Sequence, residues 1–228
     1  MISPPLSRET TASSSSVRLG ALSLALAGIL FFLYPALRPF SDQAGAQTML
    51  GAQAFASPFW VVAHMLGVGG FILLALSLLG LYSALRHTAA RSLMAVAVVV
   101  TWMGAGFTAT YFGAEIFALH AIGQAALNQH STALLSLVTA VRFGPAIYVF
   151  AVGLLLLGIG PILVAIAVWR SGRISRWSAL LFALGFALYI PQFFGPSIIR
   201  VAHGVLVGIG CLWLTWSMLQ SQRGNNVE

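Results

Sequence analysis

Residues 58–85 read PFWVVAHMLGVGGFILLALSLLGLYSAL, a run without one Asp, Glu, Lys or Arg. A helix needs about 20 consecutive apolar residues to cross the hydrocarbon of a bilayer, so this run predicts a membrane-spanning helix with length to spare. Five more runs of the same character accompany it, and the six lie approximately at 19–37, 58–85, 92–119, 146–169, 177–194 and 197–219. Their apolar residues are continuous, without the short alternating segments of a membrane β-barrel. The expected fold is all-α: a polytopic membrane protein whose six transmembrane helices form one bundle over residues 18–220. A polar, serine-rich tail at 1–17, expected to be disordered, and a short C-terminal tail at 221–228 flank it.

Composition points the same way. Hydrophobic residues make up 59% of the chain and charged residues 7%, with a mean hydropathy of +0.95. A soluble domain carries about a quarter charged residues, so this chain could not cover a water-facing surface. All eleven basic residues are Arg, and the absence of Lys excludes any lysine Schiff-base chemistry. The arginines stand singly at the ends of apolar runs and form no patch, which excludes a nucleic-acid partner and leaves the lipid bilayer as the expected one. Cys211 is the single cysteine, so no intrachain disulfide can form. The first run exceeds the roughly 7–15 residues of a signal-peptide core and is read as a retained helix.

Arginine placement sets the orientation. With a cytoplasmic N-terminus, Arg8, Arg18, Arg86, Arg91, Arg170, Arg173, Arg176 and Arg223 fall inside, while Arg38, Arg142 and Arg200 fall outside. This is the positive-inside asymmetry. It predicts both termini in the cytoplasm, a cytoplasmic-type membrane such as a bacterial inner membrane, and outer loops at roughly 38–57 and 120–145. Small residues (Gly104 and Gly106 in the third run, Gly204 and Gly208 in the sixth) predict close helix contacts. Gly158–Pro161 predicts a kink in the fourth.

Two histidines interrupt the greasiest runs: His64 in VVAHMLGVGG and His203 in RVAHGVLVGIG. The shared Val-Ala-His step does not establish a duplication, because the second and sixth helices hold no corresponding places in two halves. An ionisable residue inside a span is a functional-site hypothesis by default, given its desolvation cost. With Trp60 as an interfacial anchor, His64 sits about one turn deeper, and His203 about two turns below the start of the sixth helix. Glu115 reaches the outer boundary from the third helix, and Arg200 precedes His203 by three residues. His64, Glu115, Arg200 and His203 are therefore the candidate catalytic residues. Tyr111, Arg142, Tyr189 and Gln192, at the same level as Arg38 and Asp42, are the candidate substrate pocket. Thr108, Tyr111 and Glu115 share one helix face, whereas His120, about 140° round from Glu115, is assigned to the outer loop. His87 and His130 are read as solvated loop residues.

Three chemistries use these residue types. His64 and His203 on facing helices could ligate a haem b iron, or join Glu115 around a divalent metal. The same residues could act as general acid and base on a lipophilic substrate entering from the membrane. No HExxH, GxSxG or clustered-aspartate motif accompanies them. The expectation is a membrane-embedded enzyme or redox protein. The alternatives are a small-solute or proton-coupled transporter or receptor, compatible with a homo-oligomer, and a structural membrane protein.

Overall fold

A computed structural model of the chain describes residues 6–224, and the side chains of 14–223. It is all-helical, with 87% helix, and no strand occurs among the described residues. The principal helices are α1 (Leu6–Leu37), α4 (Pro58–Leu85), α5 (Arg91–Gly113), α8 (Ala146–Ser171), α9 (Arg176–Ala187) and α10 (Ser197–Gly224). Between them lie α2 (Asp42–Gly45), α3 (Met49–Ala56), α6 (Leu119–Asn128) and α7 (Ser136–Phe143). Helix α1 begins within the stretch expected as a disordered tail; residues 1–5 and 225–228 lie outside the described residues.

The six principal helices close into a ring in chain order. α1 packs on α4, α4 on α5, α5 on α8, α8 on α9, α9 on α10, and α10 returns to α1. The connections α4–α5, α8–α9 and α9–α10 are short turns that deliver the chain to an antiparallel neighbour, whereas 38–57 and 114–145 are longer and carry helices of their own. The starts and stops are written locally. Ser57 accepts a hydrogen bond from the Phe59 N–H and precedes Pro58 at the first turn of α4, a start that uses proline where its missing N–H costs nothing. Gly172 ends α8 in the left-handed region at φ 65°, which a side chain would strain.

The ring is held by close backbone approach and an aromatic centre. A Cβ built on Gly20 of α1 would lie 2.6 Å from the Gly80 Cα of α4, and the reverse holds equally. Gly204 and Gly208 lie against α1 as expected, whereas Gly106 meets nothing. Phe31, Phe71, Phe112, Phe186 and Tyr189 fill the middle, with Phe31 edge-on to Phe71 at 5.1 Å and to Phe186 at 5.6 Å. The outer surface carries Leu22, Leu26, Ile72, Val99, Leu155, Ile166 and Ile209, each well exposed. An apolar belt of this extent on every principal helix is the surface of a membrane-embedded bundle, not of a water-soluble one.

Five helices are long and apolar enough to cross a membrane by length and composition, and three expected bounds are corrected. The fifth run, expected over 177–194, forms only the twelve-residue α9 and then a turn and a 3-10 helix at Pro191–Phe194, because Pro191 denies a backbone donor where the helix would continue. The third helix does not stop at 119: it continues through a π-helical turn at Ala114–Ala118 into α6, unbroken to Asn128. The segments 38–57 and 120–145, expected as outer loops, are largely helical. α3, α6 and α7 bury Phe55, Leu119, Ala126, Leu135 and Val138 around Trp60 in a second small core, a helical cap on one end of the ring. Helix α8 continues through the Gly158–Pro161 step.

The Gly20–Gly80 contact is testable. Gly20→Ala is expected to destabilise the protein by about 1–3 kcal/mol, since overpacking costs that much where backbone cannot yield. Gly106→Ala, with open space around it, is expected to be neutral or to stabilise by up to about 1 kcal/mol. Thermal midpoints in one detergent measure both, and equal midpoints for the two variants would contradict the packing.

Candidate functional site

The cap and the ring meet at a charged cluster. Glu115 sits in the π-helical turn, where the extra residue per turn shifts its side chain relative to the α-helical face of Thr108 and Tyr111; such turns recur at functional sites. Arg142, from α7, grips this carboxylate with two parallel bonds: Nε donates to Oε1 at 2.8 Å and Nη2 to Oε2 at 3.0 Å. The same Nη2 donates to Asp42 Oδ2 at 2.9 Å, and Asp42 Oδ2 also accepts from Arg38 Nη2 at 2.8 Å. Arg38, Asp42, Arg142 and Glu115 thus form one chain of alternating charge, and Asp42 and Glu115 are both buried. Burial opposes the charge on Arg142. The Glu115 and Asp42 carboxylates outweigh it and hold the guanidinium above the usual arginine range.

Trp60 ties this chain to His64. Its indole is fully buried, so it is not the interfacial anchor expected from the sequence. Its Nε1–H donates to the Glu115 backbone carbonyl at 2.6 Å, and the Arg38 guanidinium lies over its ring at 4.5 Å. One turn later, His64 Nδ1 lies 2.7 Å from the Trp60 carbonyl oxygen. Tyr34, Trp60 and Phe112 enclose the imidazole, with ring centroids 4.5–5.3 Å away. Its Nε2 points at Glu115 Oε2 across 3.8 Å.

These groups line a half-open cleft of about 940 Å³. His64, Glu115, Arg142, Tyr111 and Arg200 all face it, as do Arg38, Asp42 and Tyr34. Phe150, Ile190 and Phe193 form its apolar wall, with Phe150 stacked on Tyr111 at 4.1 Å. Arg200 is half-buried and lies over Phe193 at 4.9 Å. With the Gln43 amide oxygen turned toward it, Arg200 donates to that oxygen from Nε, Nη1 and Nη2 at 3.0–3.1 Å.

His203 is not part of the cluster. Its Nε2 is hydrogen-bonded to the Gly185 carbonyl of α9 at 2.7 Å, and its ring meets Tyr189 edge-on at 4.7 Å. Helix α1 stands between α4 and α10 in the ring, so equal depth did not bring His64 and His203 together. Shared ligation of a haem iron by the two imidazoles does not fit this arrangement. Neither does a His64–His203–Glu115 metal site: among the described residues no group of three or more His, Cys, Asp or Glu could hold a metal ion. Tyr189 and Gln192 line a narrow chamber beside the cleft instead of the cleft itself. His120, assigned to a loop, lies in α6, and its Nδ1 is 2.8 Å from the Phe55 carbonyl.

No family model, curated protein or solved structure matches this chain.

The Arg142 bridge makes a stability prediction. Removing one partner of a buried ion pair leaves an uncompensated charge and costs about 3–5 kcal/mol. Arg142→Gln is expected to lose stability on that scale, and Arg142→Lys less, because ammonium keeps the charge but not the two-pronged grip. Unfolding midpoints in SDS titrations measure this, and wild-type midpoints for both variants would contradict it.

Proposed function

We propose that the chain is a membrane-embedded enzyme that moves protons on a lipophilic substrate held in this cleft, with His64 as general base and Glu115 as its proton partner. The observation that carries this reading is the confrontation of His64 Nε2 and Glu115 Oε2 at 3.8 Å. A carbonyl oxygen only accepts, so the Nδ1 facing Trp60 O carries the hydrogen. In the neutral ring Nε2 then holds a lone pair. Two acceptors face one another beside a substrate-sized space, and a shared proton, a water or a substrate hydroxyl would satisfy both. Once protonated, the imidazole has its counter-ion already in place. Arg142 is a positioning residue here, since it holds the carboxylate in one orientation.

A proton-coupled carrier could use the same pair, but it would need the cavity to continue to the far end of the ring. Leu74, Leu78, Leu81 and Leu214 fill the interior there, which supports the enzyme reading. The topology we propose is six crossings with both termini cytoplasmic. The α9 helix contributes about 18 Å of rise and the 3-10 turn about 8 Å more, which supports a sixth crossing between α8 and α10. Trp169 and Trp177, under the Arg176 guanidinium at 4.8 and 5.7 Å, fit an aromatic belt at the cytoplasmic boundary.

Two experiments test this. Protein in lipid nanodiscs is offered long-chain esters and ketones in D2O, with hydrolysis and deuterium incorporation followed by mass spectrometry. His64→Gln and Glu115→Gln are expected to lower turnover by about 10²–10⁴-fold while the protein stays folded. Wild-type turnover in His64→Gln would overturn the assignment, and uptake of an unchanged substrate into sealed vesicles would favour the carrier. For topology, a fluorescent protein fused to the C-terminus should fluoresce, and alkaline phosphatase inserted after Gln129 should be active. The opposite pair of results would reverse the orientation.

A further inference from the structure

The charges around the cleft do not balance. Arg38, Arg142 and Arg200 face it, against Asp42 and Glu115, which leaves three positive and two negative groups, a net of one positive. Both carboxylates are already engaged by Arg38 and Arg142. Arg200 forms no ion pair among the described residues; its polar partner is the neutral Gln43 amide. A half-buried guanidinium satisfied only by an amide is the place where an anionic group gains most, because a carboxylate or phosphate offers it a charged, two-pronged partner.

The surroundings of Arg200 add a tail to this headgroup. The cleft, at about 940 Å³, is near the upper end of the roughly 300–1,000 Å³ of small-molecule sites, far more than an inorganic anion fills. From Arg200 the wall runs along Phe193, Ile190 and Phe150, and the mouth carries Phe194 and Phe143, 88% and 69% exposed. An apolar rim suits entry from lipid. A second, independent feature lies on the inner side of Arg200. A narrow chamber of about 20 Å³ joins it to Thr108, whose buried Oγ1 has no hydrogen-bond partner. That volume suits one water, which would link the orphaned hydroxyl to a headgroup on Arg200.

We infer that the ligand of this cleft is an amphipathic anion, a single alkyl chain bearing a carboxylate or phosphate, with its headgroup on Arg200 and its chain along Phe193, Ile190 and Phe150. The inference rests on the cleft being the substrate site proposed above, and it names the substrate class. Occupancy would displace the Gln43 amide from Arg200 and bring the part of the ligand next to the headgroup within reach of His64 and Glu115.

Native mass spectrometry of the protein released from detergent tests this with four probes: dodecyl phosphate, dodecanoate, dodecanol and inorganic phosphate. Dodecyl phosphate and dodecanoate are expected to bind one per chain, with dodecanol and inorganic phosphate at least tenfold weaker. Arg200→Gln is expected to lose at least tenfold in affinity for the two anions, and Arg200→Lys to lose less, because ammonium keeps the charge but not the two-pronged contact. His64→Gln should bind them as wild type does, so lost turnover with intact binding separates the proton chemistry from ligand recognition. Dodecanol binding as tightly as dodecyl phosphate would overturn the inference. So would inorganic phosphate binding equally well, or undiminished binding in a folded Arg200→Gln. If Arg200→Gln does not fold, the wild-type ranking of the four probes decides alone.

Discussion

Arg142 holds two carboxylates that belong to different parts of the chain, and the architecture of the site depends on that bridge. Asp42 follows the first helix closely, Glu115 stands in the π-helical turn of the third, and Arg142 arrives on the cap helix α7. Neither acid could be buried alone at tolerable cost. One guanidinium with parallel donors satisfies most of the acceptors, and a second, Arg38, completes the alternation. The cap is thereby latched to the ring. The apolar core of the cap adds to this latch: Phe55 and Trp60 pack edge-to-face at 4.9 Å, and Arg142 lies over Phe55 at 5.1 Å.

The latch also orients the chemistry. Trp60 donates to the backbone of Glu115 through its side chain and accepts from His64 through its own carbonyl. A single residue therefore fixes the π-helical turn and the imidazole tautomer together. His64 is left with one free nitrogen, directed at the Glu115 carboxylate, which Arg142 holds still. Arg200 stands apart from the network, bonded to an amide and open to the cleft.

Much of this was legible in the sequence, and the parts that were not have physical reasons. Continuous apolar runs without charge announced the helices, and hydropathy is a strong signal because lipid tolerates no unpaired backbone. The small residues at Gly204 and Gly208 marked a true contact face. Depth counting along helices brought His64, Glu115, Tyr111, Arg142 and Arg200 to one level, and they do share a cleft. It failed for His203 because depth says nothing about azimuth around a ring, and α1 separates the two histidine-bearing helices. Trp60, a tryptophan near a span end, reads as an interfacial anchor because the cap that buries it comes from the distant segments 38–57 and 120–145. Those segments carry short amphipathic helices whose burial requires one another, a cooperative signal that no local window displays. The π-helical turn has no local signature in this sequence either, and the third helix continues through it past its expected end.

In the proposed site His64 offers a bare Nε2 to Glu115, and the ¹⁵N spectrum of the imidazole reads this directly. The chain has five histidines, so selective ¹⁵N-histidine labelling with His64→Gln for assignment isolates the signal in detergent or nanodiscs. At neutral pH a protonated Nδ1 and an unprotonated Nε2 are expected for His64, with the Nε2 resonance moving in Glu115→Gln as its facing acceptor becomes an amide. An Nε2–H tautomer, or an Nε2 signal indifferent to Glu115→Gln, would contradict it.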